Sequence, residues 1–143
     1  QATTAIVNGA AGTNQRLGIF ITNAPVTTGT TATLAYTLSG AQPNSAAAFA
    51  LTKLQSITAT DSFLGGNNPS DTETVSAGGV TVGVVMDSVS GGITWTGLTE
   101  QADANTGGFG RVSAAMLASA SATSLSVTVA GMVLGSTAIA SFR

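Results

Sequence analysis

The side chains of this sequence that could do chemistry are few: six carboxylates and one tryptophan, with no histidine and no cysteine. Glu100 and Asp103 closely follow Trp95. Two carboxylates can serve as acid and nucleophile in glycoside hydrolysis, and a neighbouring aromatic ring can stack on a sugar face. The same spacing is typical of a solvated turn that leaves the tryptophan strand, and the sequence favours that simpler interpretation.

Nucleophilic catalysis lacks its usual groups. Hydrolytic triads need a base that titrates near neutrality, usually histidine, so the absence of histidine excludes Ser-His-Asp and Cys-His arrangements. A Ser-Lys dyad would have to use Lys53, the only lysine, but the position three residues before it is Ala50. We therefore expect that the protein is not an enzyme.

Metal and cofactor sites are equally poorly supported. A transition-metal site without histidine or cysteine is not expected. Calcium takes oxygen ligands, which Asn67, Asn68, Asp71 and Glu73 could offer, but the spacing of an EF-hand loop is absent and the segment is first of all a turn. No phosphate-binding glycine loop occurs. The sequence predicts neither a metal nor a cofactor.

Trp95 lies in an alternating segment in which Ile93 shares its face. A core role is favoured over an exposed ligand platform, provided that the indole N–H finds an acceptor. Arg111 alternates with Ser113 on a later segment and is predicted to form a salt bridge with Glu100 or Asp103 on a neighbouring strand.

Composition bounds the remaining possibilities. The 143 residues are 43% hydrophobic and only 7% charged, which predicts one packed domain over residues 1–143. No apolar run reaches the roughly 18–20 residues of a membrane span, and four scattered cations within a net charge of −2 argue against nucleic-acid binding. Low charge instead favours self-association. The start at Gln1, without an initiator Met, is interpreted as that of a processed or excised product.

Strands must position these side chains, because apolar and polar residues alternate along most of the sequence with the two-residue period of a β-strand. Residues 124–129 alternate Leu and Val with hydroxyls, and residues 80–86 are predicted to be a central strand. Residues 46–57 are ambiguous, and a bent strand is favoured over a short helix. Glycine and asparagine turn signals, from Asn8-Gly9 to Gly107-Gly108, recur about every 8–12 residues. The other predicted strands cover residues 3–7, 16–22, 31–38, 93–99, 109–117 and 137–142.

Together these segments predict an all-β fold. About eight to ten strands would form an antiparallel β-sandwich of jelly-roll or immunoglobulin-like type.

The order of motifs in the latter half resembles β-sandwich modules of bacteriophage and prophage virion surface proteins, of the capsid decoration, head-fibre or tail-fibre type. The resemblance covers about half of the chain. It is carried by a Gly-Gly-Val strand, a TWTGLTE strand, an alanine-rich strand, a Ser/Thr-aliphatic strand and a terminal strand ending in Ser-Phe-Arg, at residues 77–83, 93–100, 111–115, 124–129 and 138–143.

This resemblance implies a structural, multicopy protein at a virion surface or outside the cell. The expected partners are further copies of the chain, with a trimer favoured, and capsid or tail proteins. No catalytic or binding residue is carried over from it.

Two alternatives remain open. One is an extracellular carbohydrate-binding or adhesion module for a cell-surface glycan. Its candidate contacts are the rings of Trp95 and Tyr36 and the polar groups of Asn67, Asn68, Asp71 and Asp103. The other is a subunit of an extracellular filament that lends residues 3–7 to a neighbour.

Overall fold

A computed structural model describes residues 3–10, 16–22, 47–51, 53–88, 91–105 and 110–143. These residues contain strands and no helix, so none of their segments is a helix able to cross a membrane. The ten described strands are β1 (Thr3–Ala10), β2 (Arg16–Thr22), β3 (Asp61–Gly65), β4 (Ser70–Val75), β5 (Val80–Asp87), β6 (Thr94–Thr96), β7 (Thr99–Asn105), β8 (Arg111–Ala118), β9 (Thr123–Ala130) and β10 (Gly135–Phe142).

All pairings are antiparallel, and the predicted fold class is confirmed. A five-stranded sheet has the order β3-β10-β5-β8-β7, and a three-stranded sheet has the order β4-β9-β6. Side chains of the two sheets meet in a shared core, as in a β-sandwich. β1 and β2 form a separate hairpin that packs against β10 and β5.

The centre of the five-stranded sheet is buried on both faces. Every residue of β10 is buried, and β5 lies between β10 and β8, as predicted for a central strand. On one face Phe142 and Val82 contact Ile21 of the hairpin and Leu51 of the segment that precedes β3. On the other face Ile139 packs against residues of the three-stranded sheet.

The three-stranded sheet follows the alternation seen in the sequence. In β9, Val127 and Val129 are buried, while Ser124 and Ser126 are exposed. This outcome confirms the half-buried strand predicted there.

The strand predicted over residues 93–99 is wrong in extent, because the chain forms two strands there in different sheets. Gly97 separates β6 from β7 with φ of +89°. A Cβ at this position would collide with the carbonyl oxygen of Ser126. Glycine therefore permits the abrupt step from one sheet to the other.

Other sequence expectations are also corrected. The described part of segment 46–57 is neither strand nor helix, and Asn8-Gly9 lies within β1 instead of forming a turn. β3 and β4 were missed because their inward faces carry Asp61 and Glu73, which break the apolar alternation. The predicted strand 31–38 and the turn signal Gly107-Gly108 lie outside the described residues.

We expect Gly83→Ala to destabilise the protein, because Gly83 of β5 lies directly beneath the Trp95 ring. An added Cβ would lie 2.8 Å from two ring carbons, and such overpacking costs about 1–3 kcal/mol. Urea unfolding would measure the loss. Gly92→Ala is the control, since its Cβ meets nothing within 4 Å, and it should change the free energy of unfolding by less than about 0.5 kcal/mol. Equal effects of the two substitutions would contradict this account of the packing.

Candidate functional site

The turn between β9 and β10 presents two large aliphatic side chains to solvent. Val133 is 59% exposed and Leu134 is 53% exposed. We call this pair the apolar tip. Phe20 and Ile57 are also exposed, but Val133 and Leu134 are adjacent and together form a small apolar surface at the end of the turn.

The turn itself is held in one conformation. Gly131 enters it with φ of +88°, a value that side chains rarely adopt. The next residue, Met132, is only 4% exposed and packs into the core with Ile93 and Val129. The buried side chain of Met132 thus holds the turn against the core, while the side chains of Val133 and Leu134 point into solvent.

Asp87, at the end of β5, binds the backbone of the tip. Its carboxylate is fully buried and accepts hydrogen bonds from the N–H groups of Val133 at 3.0 Å and Leu134 at 2.9 Å. Ser88 adds a backbone and a side-chain hydrogen bond to the carbonyl of Leu134. A buried carboxylate is tolerated where backbone donors satisfy it.

Asn67 and Asn68 lie in the connection between β3 of the five-stranded sheet and β4 of the three-stranded sheet, and they bind the same turn. Asn68 accepts from the N–H of Met132 at 2.9 Å and donates to its carbonyl at 3.0 Å. Asn67 donates to the carbonyl of Val133 at 2.7 Å and accepts from the N–H of Gly135. We call Asn67, Asn68 and Asp87 the polar clamp. The two asparagines predicted as ligand contacts are therefore engaged with the chain's own backbone.

Trp95 packs between the sheets, as favoured from the sequence. Its ring is partly buried against one group of core residues that includes Val129 and another that includes Val127. Its indole N–H donates to Ser113 Oγ at 2.8 Å. Ser113 Oγ in turn donates to Glu100 Oε2 at 2.9 Å. The acceptor that a buried tryptophan requires is thus supplied by a strand of the facing sheet.

Asp103 and Arg111 form the predicted salt bridge, between the adjacent strands β7 and β8. This hydrogen-bonded contact raises the pKa of the Arg111 guanidinium. The expectation that Glu100 and Asp103 lie on a turn is wrong, because both belong to strand β7. The two carboxylates bind different partners, Ser113 and Arg111.

Asp71 and Glu73 lie two residues apart on the same face of β4, and Glu73 is completely buried. Glu73 Oε2 accepts from Ser141 Oγ at 2.8 Å, whereas Oε1 has no partner within the part of the chain that is described. Burial, with added repulsion from Asp61 and Asp71, raises the pKa of Glu73 from its ordinary 4.5 to about 7, although the Ser141 hydrogen bond opposes this. Over the same described ranges, no group of three or more acidic residues is placed to hold a metal.

The predicted ligand contacts do not form one site. Asn67 and Asn68 lie together at the tip, Trp95 and Asp103 contact strand β8, and Asp71 lies on β4. Tyr36 lies outside the described residues.

Sequence reasoning missed the apolar tip. The available signal was the segment Gly-Met-Val-Leu-Gly at residues 131–135, an apolar run bounded by glycines among loops rich in Ser, Thr and Asn.

No protein-family model, curated protein or solved structure matches this chain.

Asp87→Asn should loosen the tip and lower the free energy of unfolding by about 2 kcal/mol, because the new amide group would face a backbone N–H that needs an acceptor. Chemical denaturation measures the stability, and amide hydrogen exchange of Val133 and Leu134 measures the local loosening. Asp103→Asn is the matched control: it removes a carboxylate that binds the solvent-accessible Arg111 guanidinium and should destabilise the protein less than Asp87→Asn does. Unchanged exchange at Val133 and Leu134 in the Asp87 variant would contradict the clamp.

Glu73 makes stability depend on pH. In the unfolded chain it loses its proton near 4.5, but in the folded chain only near 7. Because the folded state binds more protons in this window, its stability falls as pH rises, by up to about 3 kcal/mol. The parent chain should therefore lose stability between pH 4 and pH 8, whereas Glu73→Gln removes the group that titrates. The free energy of unfolding of the variant minus that of the parent chain should be larger at pH 8 than at pH 4. Denaturation at both pH values tests this, and a difference independent of pH would refute it.

Proposed function

We propose that this chain is a non-catalytic structural subunit at the surface of a phage or phage-like particle. It acts by self-association and by attachment to capsid or tail proteins. The observation that carries the proposal is the apolar tip, which a polar clamp holds rigidly in solvent.

The clamp favours assembly as the role of the tip. A flexible loop could fold its apolar side chains back onto the surface, but the hydrogen bonds of Asn67, Asn68 and Asp87 fix the backbone that carries them. A rigid contact loses little conformational entropy on binding. This geometry suits a surface that is buried against another protein.

The composition of the chain supports the same role. With few charges and a net charge of −2, neighbouring copies meet little electrostatic repulsion. The resemblance of the latter half to virion surface modules gives this assembly a setting at a virion surface or outside the cell.

Self-association should be visible as a native mass above the 13.9 kDa of one chain, measured by analytical ultracentrifugation across about a hundredfold dilution. The double substitution Val133→Ser and Leu134→Ser removes the apolar tip while leaving the backbone hydrogen bonds of the turn in place. It should lower the average mass at every concentration at which the parent chain associates.

Ile57→Ser is the control, because Ile57 is also an exposed aliphatic residue, at 40%, and lies outside the tip. A parent chain that stays at the monomer mass throughout would contradict self-association. The particle itself is tested by density-gradient banding of lysates from producing cells. Recovery of the chain only in the free-protein fractions would contradict attachment.

A further inference from the structure

Strand β4 lies at an edge of the three-stranded sheet, and two of the three side chains on its inward face are carboxyls. Asp71, Glu73 and Val75 point inward, whereas the three residues that alternate with them are exposed. Among the described strands, β4 pairs only with β9. Val75 is the one inward apolar side chain of β4. The contact between β4 and the five-stranded sheet therefore depends on how the two carboxyls are partnered.

Polar contacts with β10 and β3 bind β4 to the five-stranded sheet. Ser141 Oγ of β10 donates to Glu73 Oε2 at 2.8 Å, and Asp61 Oδ2 of β3 accepts from the N–H of Thr74 at 2.8 Å. The hydroxyl oxygen of Ser141 also lies 2.8 Å from that of Thr81. A hydroxyl has a single hydrogen to donate. Since Ser141 gives its hydrogen to Glu73, Thr81 donates to Ser141, and this pair of hydroxyls has no second hydrogen for Glu73.

A proton explains the remaining oxygen of Glu73. Oε1 is buried and has no partner among the described residues, while Asp71 lies within hydrogen-bonding reach of the Glu73 side chain. Two ionised carboxylates cannot form that bond, because neither has a hydrogen, whereas a carboxylic acid can donate to a carboxylate. Burial disfavours the charged form. Because Glu73 is completely buried and Asp71 is partly exposed, the proton belongs on Glu73.

The charges near Glu73 favour the same protonation state. Burial, with added repulsion from Asp61 on β3 and Asp71 on β4, raises the pKa of Glu73 to about 7. β9 and β10 have no ionisable side chain, and that of β5, Asp87, binds the apolar tip at the end of its strand. Arg143 follows β10, but within the described part of the chain no salt bridge reaches Glu73. No cation on the strands packed around β4 therefore offsets a negative charge there.

We propose that Glu73 and Asp71 form a pH-sensitive latch between the two sheets: the carboxylic acid of Glu73 donates a hydrogen bond to Asp71, and loss of that proton releases β4 from the five-stranded sheet. The inference does not depend on the proposed self-association.

The position of β4 makes it the element that responds. After the proton is lost, Glu73 is a buried charge near two other carboxylates, and this arrangement is costly until water reaches it. β10 cannot move away, because it is paired with β3 on one side and with β5 on the other. β4 is paired on one side only, and the local opening of such an edge strand requires less free energy than global unfolding.

Proton linkage gives the sign and the size of the response. Once β4 opens, the pKa of Glu73 returns toward its ordinary 4.5, whereas in the closed latch it is about 7. The closed form therefore binds more protons between these values, and opening becomes easier as pH rises through this window. From pH 6 to pH 8 the open fraction should increase about tenfold.

Amide hydrogen exchange of β4, including the N–H of Thr74, tests the latch in the parent chain and in Glu73→Gln at pH 6 and pH 8. The amide of the variant can donate to Asp71 and accept from Ser141, but it does not titrate. Comparison at one pH removes the effect of pH on the exchange reaction itself. The ratio of the parent rate to the variant rate should rise about tenfold between pH 6 and pH 8. A ratio independent of pH would overturn the proposal.

The amides of β10 distinguish local opening from global unfolding. At pH 8 those of β4 should be at least about tenfold less protected than those of β10, and low concentrations of urea should hardly change their exchange, because local opening exposes little surface. Equal protection and equal urea dependence of the two strands would show that β4 is released only when the whole protein unfolds. That result would overturn the latch.

Carbon-13 NMR of the Glu73 side-chain carboxyl tests the role of Asp71. In Asp71→Asn a like charge is removed and the new amide can donate to an ionised Glu73, so Glu73 should lose its proton about one pH unit lower or more. Asp103→Asn is the matched control, because Asp103 binds Arg111 on β8, and it should leave the titration unchanged. An unchanged titration in Asp71→Asn would overturn the pairing. Loss of the proton near 4.5 in the parent chain would overturn the latch without any variant.

Discussion

The burial of β5 and β10 on both faces is the constraint from which the rest of the structure follows. A strand whose every residue is buried, as in β10, needs an apolar layer above it and another below it. The three-stranded sheet supplies one layer, and the β1-β2 hairpin with the segment before β3 supplies the other. Close packing of these layers then fixes local details, such as the glycine at position 83 beneath Trp95.

Layers packed this closely also bury polar groups, and two hydrogen bonds that partner such groups run from one sheet to the other, although Glu73 Oε1 has no partner among the described residues. Ser113 of the five-stranded sheet accepts from Trp95, and Ser141 donates to Glu73, so each hydrogen bond joins the two sheets. Asp87 applies the same principle to a turn instead of a strand. Buried polar groups favour the one arrangement in which their partners are in reach, and this specificity extends outward to the apolar tip.

The apolar tip gives one end of the fold a distinct surface. Asp87, Asn67 and Asn68 hold the backbone of this turn, while the side chains of Val133 and Leu134 remain exposed. In the proposed structural role, this pair would be buried against another protein, where removal of apolar surface from water is favourable.

Alternation of apolar and polar residues, which is a local property, was sufficient to predict the all-β class, the central position of residues 80–86, the inward face of β9 and the packing of Trp95. It failed where local pattern and environment diverge. Glu73, considered as an oxygen ligand in a turn, is instead buried in strand β4. The pattern also gave no sign that the chain changes sheets at Gly97. Asn67 and Asn68 were recognisable as polar turn residues, but their hydrogen-bond partners lie 64–68 positions away. Only tertiary packing brings these groups together, since a side chain's own neighbours in sequence do not determine which distant backbone N–H it will meet.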